Sequence, residues 1–127
     1  MRFSFEPEFG LVYVRVKVVC RNRELIVNLA LDTGASATMI SAKRLAEVGY
    51  DLDKPENEIY ITTGSGLIFV PKIKIEKITA LGKSKENFSV IAHDLPPTAS
   101  VDGVLGLDFL RENILMIDFQ QGQIELK

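Results

Sequence analysis

Asp32, Thr33 and Gly34 form a motif whose residue types suit acid–base chemistry on a tight turn. Hydrolysis of an amide needs a base to activate water and an acid to protonate the departing group, and a carboxyl group can serve as either. At average residue frequencies, this tripeptide should occur by accident in a chain of this size only about a few times in a hundred. Asp32 is therefore the candidate catalytic residue.

One aspartate supplies only half of that chemistry. Two unit charges about 3 Å apart at an effective dielectric near 20 repel by about 5 kcal/mol, so two adjacent carboxyls share one proton and act together as base and acid. A twofold axis places each residue near it beside its own copy. A chain with one such motif can therefore assemble the pair as a homodimer, in which two copies of Asp32 would hold the nucleophilic water.

Strands are predicted on both sides of the motif. Residues alternate between apolar and polar from Leu11 to Val19, and Leu25 to Leu31 forms a second run that leads directly into Asp32. Ser41 can cap a short helix that Gly49 ends. The other predicted elements are that helix at 42–48, strands at 59–63, 67–70, 72–78, 88–92, 114–119 and 123–126, and a helical turn at 108–111.

Gly64, Ser65 and Gly66 join two of these β-prone runs and predict a hairpin with a flexible tip. Such a hairpin can close over an extended peptide, exclude water and supply backbone hydrogen bonds. An ordinary surface hairpin is the alternative interpretation. A phosphate-binding loop is not favoured, because no lysine-containing P-loop pattern accompanies the glycines.

The order of Asp32-Thr33-Gly34, the glycine-tipped hairpin and Val104-Leu105-Gly106 resembles the retropepsin-like aspartic proteases, which carry one active-site motif per chain. The stretch from Val101 to Arg111, with Ile117-Asp118-Phe119 after it, is similar to the end of the DNA-damage-inducible ubiquitin-shuttle proteases and of bacterial retropepsin-like proteins. The resemblance extends from about Leu11 to the carboxyl end.

This resemblance implies an all-β, closed acid-protease fold with a flap hairpin and one or two short helices. A single domain would span 1–127, in which 1–9 would be an extension or a strand of the dimer interface. The implied function is that of an aspartic endopeptidase, active as a homodimer on peptide or protein substrates. The alternative is a non-catalytic dimeric module that binds peptides with the same fold, since a fold does not guarantee its activity.

The resemblance also implies roles for individual residues. Asp32 would be catalytic, Thr33 would clasp the same threonine of the partner chain, and Gly34 would let the backbone approach substrate. The resemblance implies that Ala35 and Gly106 support the active site. It also implies that substrate is contacted by Ala30, Thr63, Gly64, Ser65, Gly66 and Val104. Core packing explains Ala30 and Val104 equally well. A turn and a helix cap are the favoured roles of Asp102 and Asp108.

The sequence departs from the retroviral pattern at three positions. Retroviral enzymes commonly place acidic residues after Asp-Thr-Gly-Ala and an arginine after the later glycine, and these form an ion pair. Ser36, Ala37 and Leu107 stand there in this chain. Because both sides of the pair are missing together, an apolar alternative is expected rather than a stranded charge. Dimer contacts and the anchoring of substrate should therefore differ.

The composition excludes several other classes of function. The chain has 127 residues and a formal net charge of -2, with scattered basic residues, so nucleic acid is not a predicted partner. Cys20 and His93 are the only residues of their types, which leaves no disulfide and no recognisable metal-ligand spacing, and no cofactor is predicted. Neither a signal peptide nor a membrane span is evident, so the prediction is a cytoplasmic protein with no membrane partner.

Overall fold

The computed structural model describes residues 1–50, 57–64 and 66–127, leaving out the side chains of 57–63 and 69. The two helices are short, α1 (Ala42–Ala46) and α2 (Leu107–Leu110). Strands make up most of the regular structure and confirm the predicted all-β class. They are β1 (Arg2–Ser4), β2 (Tyr13–Cys20), β3 (Arg23–Leu31), β4 (Met39–Ile40), β5 (Asn57–Thr63), β6 (Gly66–Ala80), β7 (Lys83–Ala92), β8 (Gly103–Leu105), β9 (Leu115–Asp118) and β10 (Gln123–Leu126).

Six strands close into a barrel. Their order is β2-β3-β8-β4-β7-β6, and β6 pairs back with β2 where Val18 lies opposite Ile78. Most neighbours are antiparallel, but β3 runs parallel to β8 and β4 runs parallel to β7. Closure gives each of these six strands a partner on both sides over at least part of its length.

The barrel core follows from the alternation seen in the sequence. Along β2 the residues Val14, Val16, Val18 and Cys20 are buried, while the residues between them face outward or lie at half depth. Burying one such valine contributes about 1.5 to 3 kcal/mol. Burial is also the main cause that raises the pKa of the Cys20 thiol, which keeps it protonated and unreactive. Cys20 is thus a packing residue, as its isolation in the sequence indicates.

Strand β5 and the part of β6 that pairs with it, residues 57–63 and 66–72, extend beyond the barrel and are called the arm. The length of β6 in this arm corrects one prediction. Residues 67–70 and 72–78 were expected as two strands, but β6 is a single strand of 15 residues. It pairs with β5 from Gly66 to Lys72, and with β7 from Lys72 to Ala80. Pro71 stands just where β6 passes from one partner strand to the other, so the N–H that it lacks interrupts little of either ladder.

A second, three-stranded sheet has the order β1-β10-β9. Arg2 lies opposite Glu125, and the Glu125 carboxylate lies 3.6 Å from the amino group of Met1. The first residues, expected as an extension or a strand of the dimer interface, thus form a strand on the carboxyl-terminal strand of the same chain. Their predicted contact with a partner chain stays a prediction.

Helix α1 begins where its cap was predicted but ends early. Ser41 Oγ accepts a hydrogen bond from Arg44 N–H at 3.4 Å, and Gly49 follows the helix with a φ of +92°. The N–H groups of Glu47 and Val48 donate to carbonyls three residues back rather than four. This tighter turn ends the α-helix at Ala46 instead of Val48.

Asp94 fixes the start of α1, which leads to a prediction about pH. Its Oδ1 accepts from Ser41 Oγ at 2.8 Å and from Lys43 N–H at 3.1 Å. Partial burial raises the pKa of this carboxyl, but the bonds from Lys43 and Ser41 outweigh it and hold the pKa below its ordinary value. A depressed folded-state pKa means stabilisation that is complete above the unfolded-state pKa and is lost as the pH falls through the folded-state pKa.

We expect Asp94→Asn to lower the free energy of unfolding by about 0.5 to 1 kcal/mol near pH 7, a modest value because the group is largely exposed. The difference should shrink as the pH falls through the folded-state pKa, where the wild-type carboxyl also becomes neutral. Urea unfolding of both proteins near pH 7 and at a series of lower pH values measures it. Glu8→Gln, at an exposed carboxylate, is the control. A difference that is constant with pH would contradict the assignment.

Candidate active site

Asp32 lies directly after β3, where the chain leaves the barrel wall. Its N–H donates to the carbonyl of Leu105 at 3.0 Å. Leu31, the last residue of β3, lies opposite the same Leu105 of β8 in the parallel pair. The structure therefore brings together the two motifs that the sequence separates by about seventy residues.

The Asp32 loop is a tight turn closed on its own carboxylate. Ala35 N–H donates to Asp32 O at 3.2 Å, and Gly34 N–H donates to Asp32 Oδ1 at 2.9 Å. A Cβ at Gly34 would lie 3.2 Å from that same oxygen, closer than most side chains approach. Gly34 therefore both binds the carboxylate and leaves it room. The bond holds the carboxylate in one orientation before any substrate arrives.

The outer side of this turn faces solvent. Asp32 is half-buried, and Thr33, Gly34 and Ser36 are exposed. Just before the turn, Leu31 N–H donates to the carbonyl of Val12 at 2.8 Å, next to the β2–β3 pairing. In the single chain the half-buried Asp32 carboxylate remains accessible, and the neighbouring Thr33 is exposed to solvent.

Two open cavities lie along β2 and β3 near this end of the barrel. The larger, of about 510 Å³, is lined in part by Phe5, Tyr13 and Arg15, and the smaller, of about 330 Å³, by Phe9, Tyr13 and Ser100. Asp32 lines neither of them.

Gly106 packs against the loop at residues 32–37, which is the candidate catalytic loop. A Cβ there would lie 2.8 Å from the carbonyl oxygens of both Ala35 and Ala37, so only glycine fits. The next residue, Leu107, donates its N–H to Ala35 O at 2.8 Å. These contacts place Gly106 beside Ala35 and Ala37 of the Asp32 loop, and its supporting role at the site stays a prediction.

Thr38 is a residue of this region that the sequence analysis missed. Its side chain is fully buried, its hydroxyl donates to Asp108 Oδ1 at 2.7 Å, and its N–H donates to Asp108 Oδ2 at 2.9 Å. Gly106 N–H donates to the same hydroxyl at 3.1 Å. A threonine just before the apolar pair Met39-Ile40 was the available signal, since a buried hydroxyl needs a partner.

A family model of aspartyl proteases matches residues 15–109, more than half of the chain, including the Asp32 loop and Gly106. The chain belongs to the aspartyl protease family. The membership supports an aspartic peptidase activity, which the bound and accessible carboxylate of Asp32 fits. A search of curated proteins found no match.

The fold of this aspartyl protease is similar to that of a retropepsin-like aspartic protease from Rickettsia conorii. The TM-score is 0.73 at 20% sequence identity, and the alignment covers 99% of this chain and 88% of the other. This similarity confirms the predicted retropepsin-like fold. A closer relationship to the bacterial or DNA-damage-inducible members stays a prediction.

Two acidic residues of the aspartyl protease have roles other than those expected. Asp108 was assigned to a helix cap, but the N-cap of α2 is Gly106, and the Asp108 carboxylate binds Thr38 instead. Asp102, assigned to a turn at the edge of the pocket, accepts from Asn28 N–H at 2.9 Å and from Arg44 Nη1 at 3.2 Å. It therefore ties β3 to α1. In both cases a partner distant in sequence replaces the local one.

The expected substrate-contact residues fall into two groups. Ala30 is buried and Val104 half-buried, and they lie opposite each other just before Asp32 and Leu105. The predicted hairpin is confirmed in its backbone, with Thr63 opposite Gly66, and Gly64 lies exposed at its tip with nothing within 4 Å of a Cβ position. Ser65 lies outside the described residues.

The described residues contain neither a cluster of metal ligands nor a membrane-spanning helix. Within 1–50, 57–64 and 66–127, no group of three or more His, Cys, Asp or Glu side chains is arranged to hold a metal ion. In the same part of the chain, no helix has the length and apolar character needed to cross a membrane.

Proposed function

We propose that this aspartyl protease is an endopeptidase that acts as a homodimer, with one Asp32 from each chain in a shared dyad. The observation that carries the proposal is the single Asp-Thr-Gly turn with a bound carboxylate and an exposed outer side. A second copy related by a twofold axis beside Thr33 would bring the two carboxylates together and cover both threonines. A lone chain supplies only one of the two groups that hydrolysis needs.

The proposed reaction divides the work between the two carboxyls, which share one proton. The ionised carboxylate accepts a proton from water as the water oxygen attacks the peptide carbonyl carbon, and the protonated carboxyl donates its proton to the carbonyl oxygen. When the tetrahedral species collapses, the carboxyl that took the proton from water passes it to the departing nitrogen, the other carboxylate takes a proton from a hydroxyl of that species, and the C–N bond breaks. The bond from Gly34 N–H to Oδ1 keeps each Asp32 carboxylate in one orientation during these transfers.

The substrate proposed for this site is an extended peptide with apolar side chains beside the cleaved bond. Ala30 and Val104 present a small apolar surface at the strand ends next to Asp32. The β5–β6 hairpin is the proposed flap, and Leu67 near its tip is 68% exposed, an apolar side chain available to cover a bound peptide. Backbone groups of the hairpin would bind the substrate backbone as an added strand.

The test of the proposed function is cleavage of a peptide library by the wild-type protein and by Asp32→Asn, read by mass spectrometry. The proposal expects internal cleavage by the wild type and none by the variant. A non-catalytic peptide-binding module would give no products with either protein and equal binding with both. That result would overturn the proposed function.

Specific activity should fall on dilution, because dimers dissociate below their dissociation constant and each monomer carries half of the dyad. Sedimentation measured at the same concentrations should show monomers appearing in proportion to the loss. A demonstrated monomer that cleaves peptide with undiminished specific activity would contradict the homodimer.

A further inference from the structure

We propose that Thr38 and Asp108 form a positioning pair that holds the catalytic loop on Gly106 in the geometry required by the dyad. The inference rests on the proposed function, because it concerns how Asp32 is presented for catalysis. Neither residue belongs to the Asp-Thr-Gly motif. The bonds between them are made within one chain, so each chain would position its own aspartate.

The pair uses every polar atom of Thr38. Its N–H and hydroxyl both donate to the Asp108 carboxylate, its hydroxyl oxygen accepts from Gly106 N–H, and its carbonyl accepts from Ile91 N–H at 3.0 Å. Thr38 therefore connects the catalytic loop to α2 and to β7 at one fully buried point. Buried polar networks of this kind impose one arrangement when each member is satisfied.

The direction of these hydrogen bonds favours a carboxylate at position 108. A hydroxyl has one proton, and because Gly106 N–H can only donate, the Thr38 oxygen accepts there and gives its own proton to Asp108. Both oxygens of Asp108 then act as acceptors. An amide at that position has one acceptor and one donor group, so it could accept from Thr38 N–H, but its NH2 group would face the hydroxyl and the hydroxyl proton would lose its acceptor.

Asp32 is connected to this pair through two short stretches of backbone. The catalytic loop and the segment after β8 are joined at one end by Asp32 N–H to Leu105 O, and at the other by the Thr38–Asp108 pair. Between these ends, Gly106 packs against the loop carbonyls with no space for a side chain. Loss of the far tether would let the loop shift on Gly106 while its near tether remained.

Lys85 stabilises the same end of α2. Its Nζ donates to Asp108 O at 3.1 Å and lies 5.5 Å from the centre of the Phe109 ring. The backbone that carries the Asp108 carboxylate is therefore fixed independently of Thr38. Removal of the Thr38 hydroxyl should free the catalytic loop more than it disturbs α2.

The test measures kcat and KM per competent active site, counted by titration with a tight-binding statine-type peptide inhibitor. Thr38→Val keeps the shape and removes the hydroxyl, and Asp108→Asn keeps the shape and removes one acceptor. We expect each to lower kcat by about 10- to 100-fold with KM changed less than about threefold, because misplacement of about 1 Å can cost about 100-fold. Thr38→Ser, which keeps the hydroxyl, should restore kcat to within about threefold of wild type.

Two variants match these changes away from the site. Thr79→Val removes a hydroxyl that shares a 2.8 Å hydrogen bond with Ser84, and Asp118→Asn alters a carboxylate that accepts from two backbone N–H groups. Both should leave kcat unchanged. Wild-type kcat per competent site in both Thr38→Val and Asp108→Asn would overturn the positioning pair, as would loss of the folded dimer in both. A wild-type protein that cleaves nothing would overturn the proposed function and this inference with it.

Discussion

Asp32→Asn should abolish peptide cleavage, by at least about a thousandfold, and should also silence a wild-type chain that pairs with it. An asparagine cannot take a proton from water or hold the proton that the dyad shares. Its side-chain oxygen can still accept from Gly34 N–H, which donates to Asp32 Oδ1 at 2.9 Å, so the turn should keep its shape. Circular dichroism and sedimentation should therefore match the wild type.

Subunit mixing separates a shared dyad from two independent sites. When the wild type is mixed with a ninefold excess of Asp32→Asn and the chains exchange fully, random pairing leaves about one tenth of the wild-type activity. Two independent sites would leave all of it. Differential mass tags on the two chains verify that exchange is complete, and the same excess of an unrelated protein is the control.

Gly103→Ala should produce the second large effect, a loss of folding stability. Gly103 lies in β8 between Leu29 of β3 and Ile40 of β4. A Cβ there would lie 1.9 Å from the carbonyl oxygen of Met39 and 2.8 Å from its carbonyl carbon. Both are backbone atoms, so no side-chain rotation relieves the overlap, and β4 must separate from β8.

We expect Gly103→Ala to lower the free energy of unfolding by about 3 kcal/mol or more and the melting temperature by more than about 10 °C. Thermal unfolding followed by circular dichroism measures the change. The matched variant is Gly10→Ala, since nothing lies within 4 Å of a Cβ at Gly10, and it should shift the melting temperature by less than about 3 °C. Similar melting temperatures for the two variants would contradict the close packing of β8 on β4.

The sequence predicts those parts of the fold that local patterns determine. Alternation locates β2 and β3 to within about two residues, and the resemblance joins Asp32 to Gly106, which the parallel pairing of β3 with β8 explains. The continuous strand β6 is not predicted from the sequence. Its continuity depends on pairing with β5 along one part and with β7 along the other, rather than on its own residues.

The Thr38–Asp108 pair shows why part of the site is hidden from sequence. An aspartate in the first turn of a helix satisfies a local rule, and that rule predicts a cap. The observed partner of Asp108 lies 70 residues away, and only the packing of the catalytic loop on α2 brings the two together. Asp102 was assigned locally for the same reason, although its partners are Asn28 and Arg44.

The absent retroviral ion pair is explained in part. Within the chain, the loop that contains Ser36 is joined to the segment around Leu107 by Leu107 N–H to Ala35 O and by the Thr38–Asp108 bonds. These bonds provide the connection between the two loops without charges at Ser36 and Leu107. How the dimer contacts and the anchoring of substrate differ stays a prediction.

The length of β6 has a mechanical consequence. From Gly66 to Lys72 it pairs with β5 in the arm, and at Lys72 it is also paired with Ile91 of β7. The arm is therefore anchored to the barrel at its base. Pro71, next to this base, interrupts little of either ladder, so the strand is continuous through it. A force on the tip of the arm would then be transmitted along one continuous strand into the barrel wall. The rigidity of that wall would set how far the arm bends.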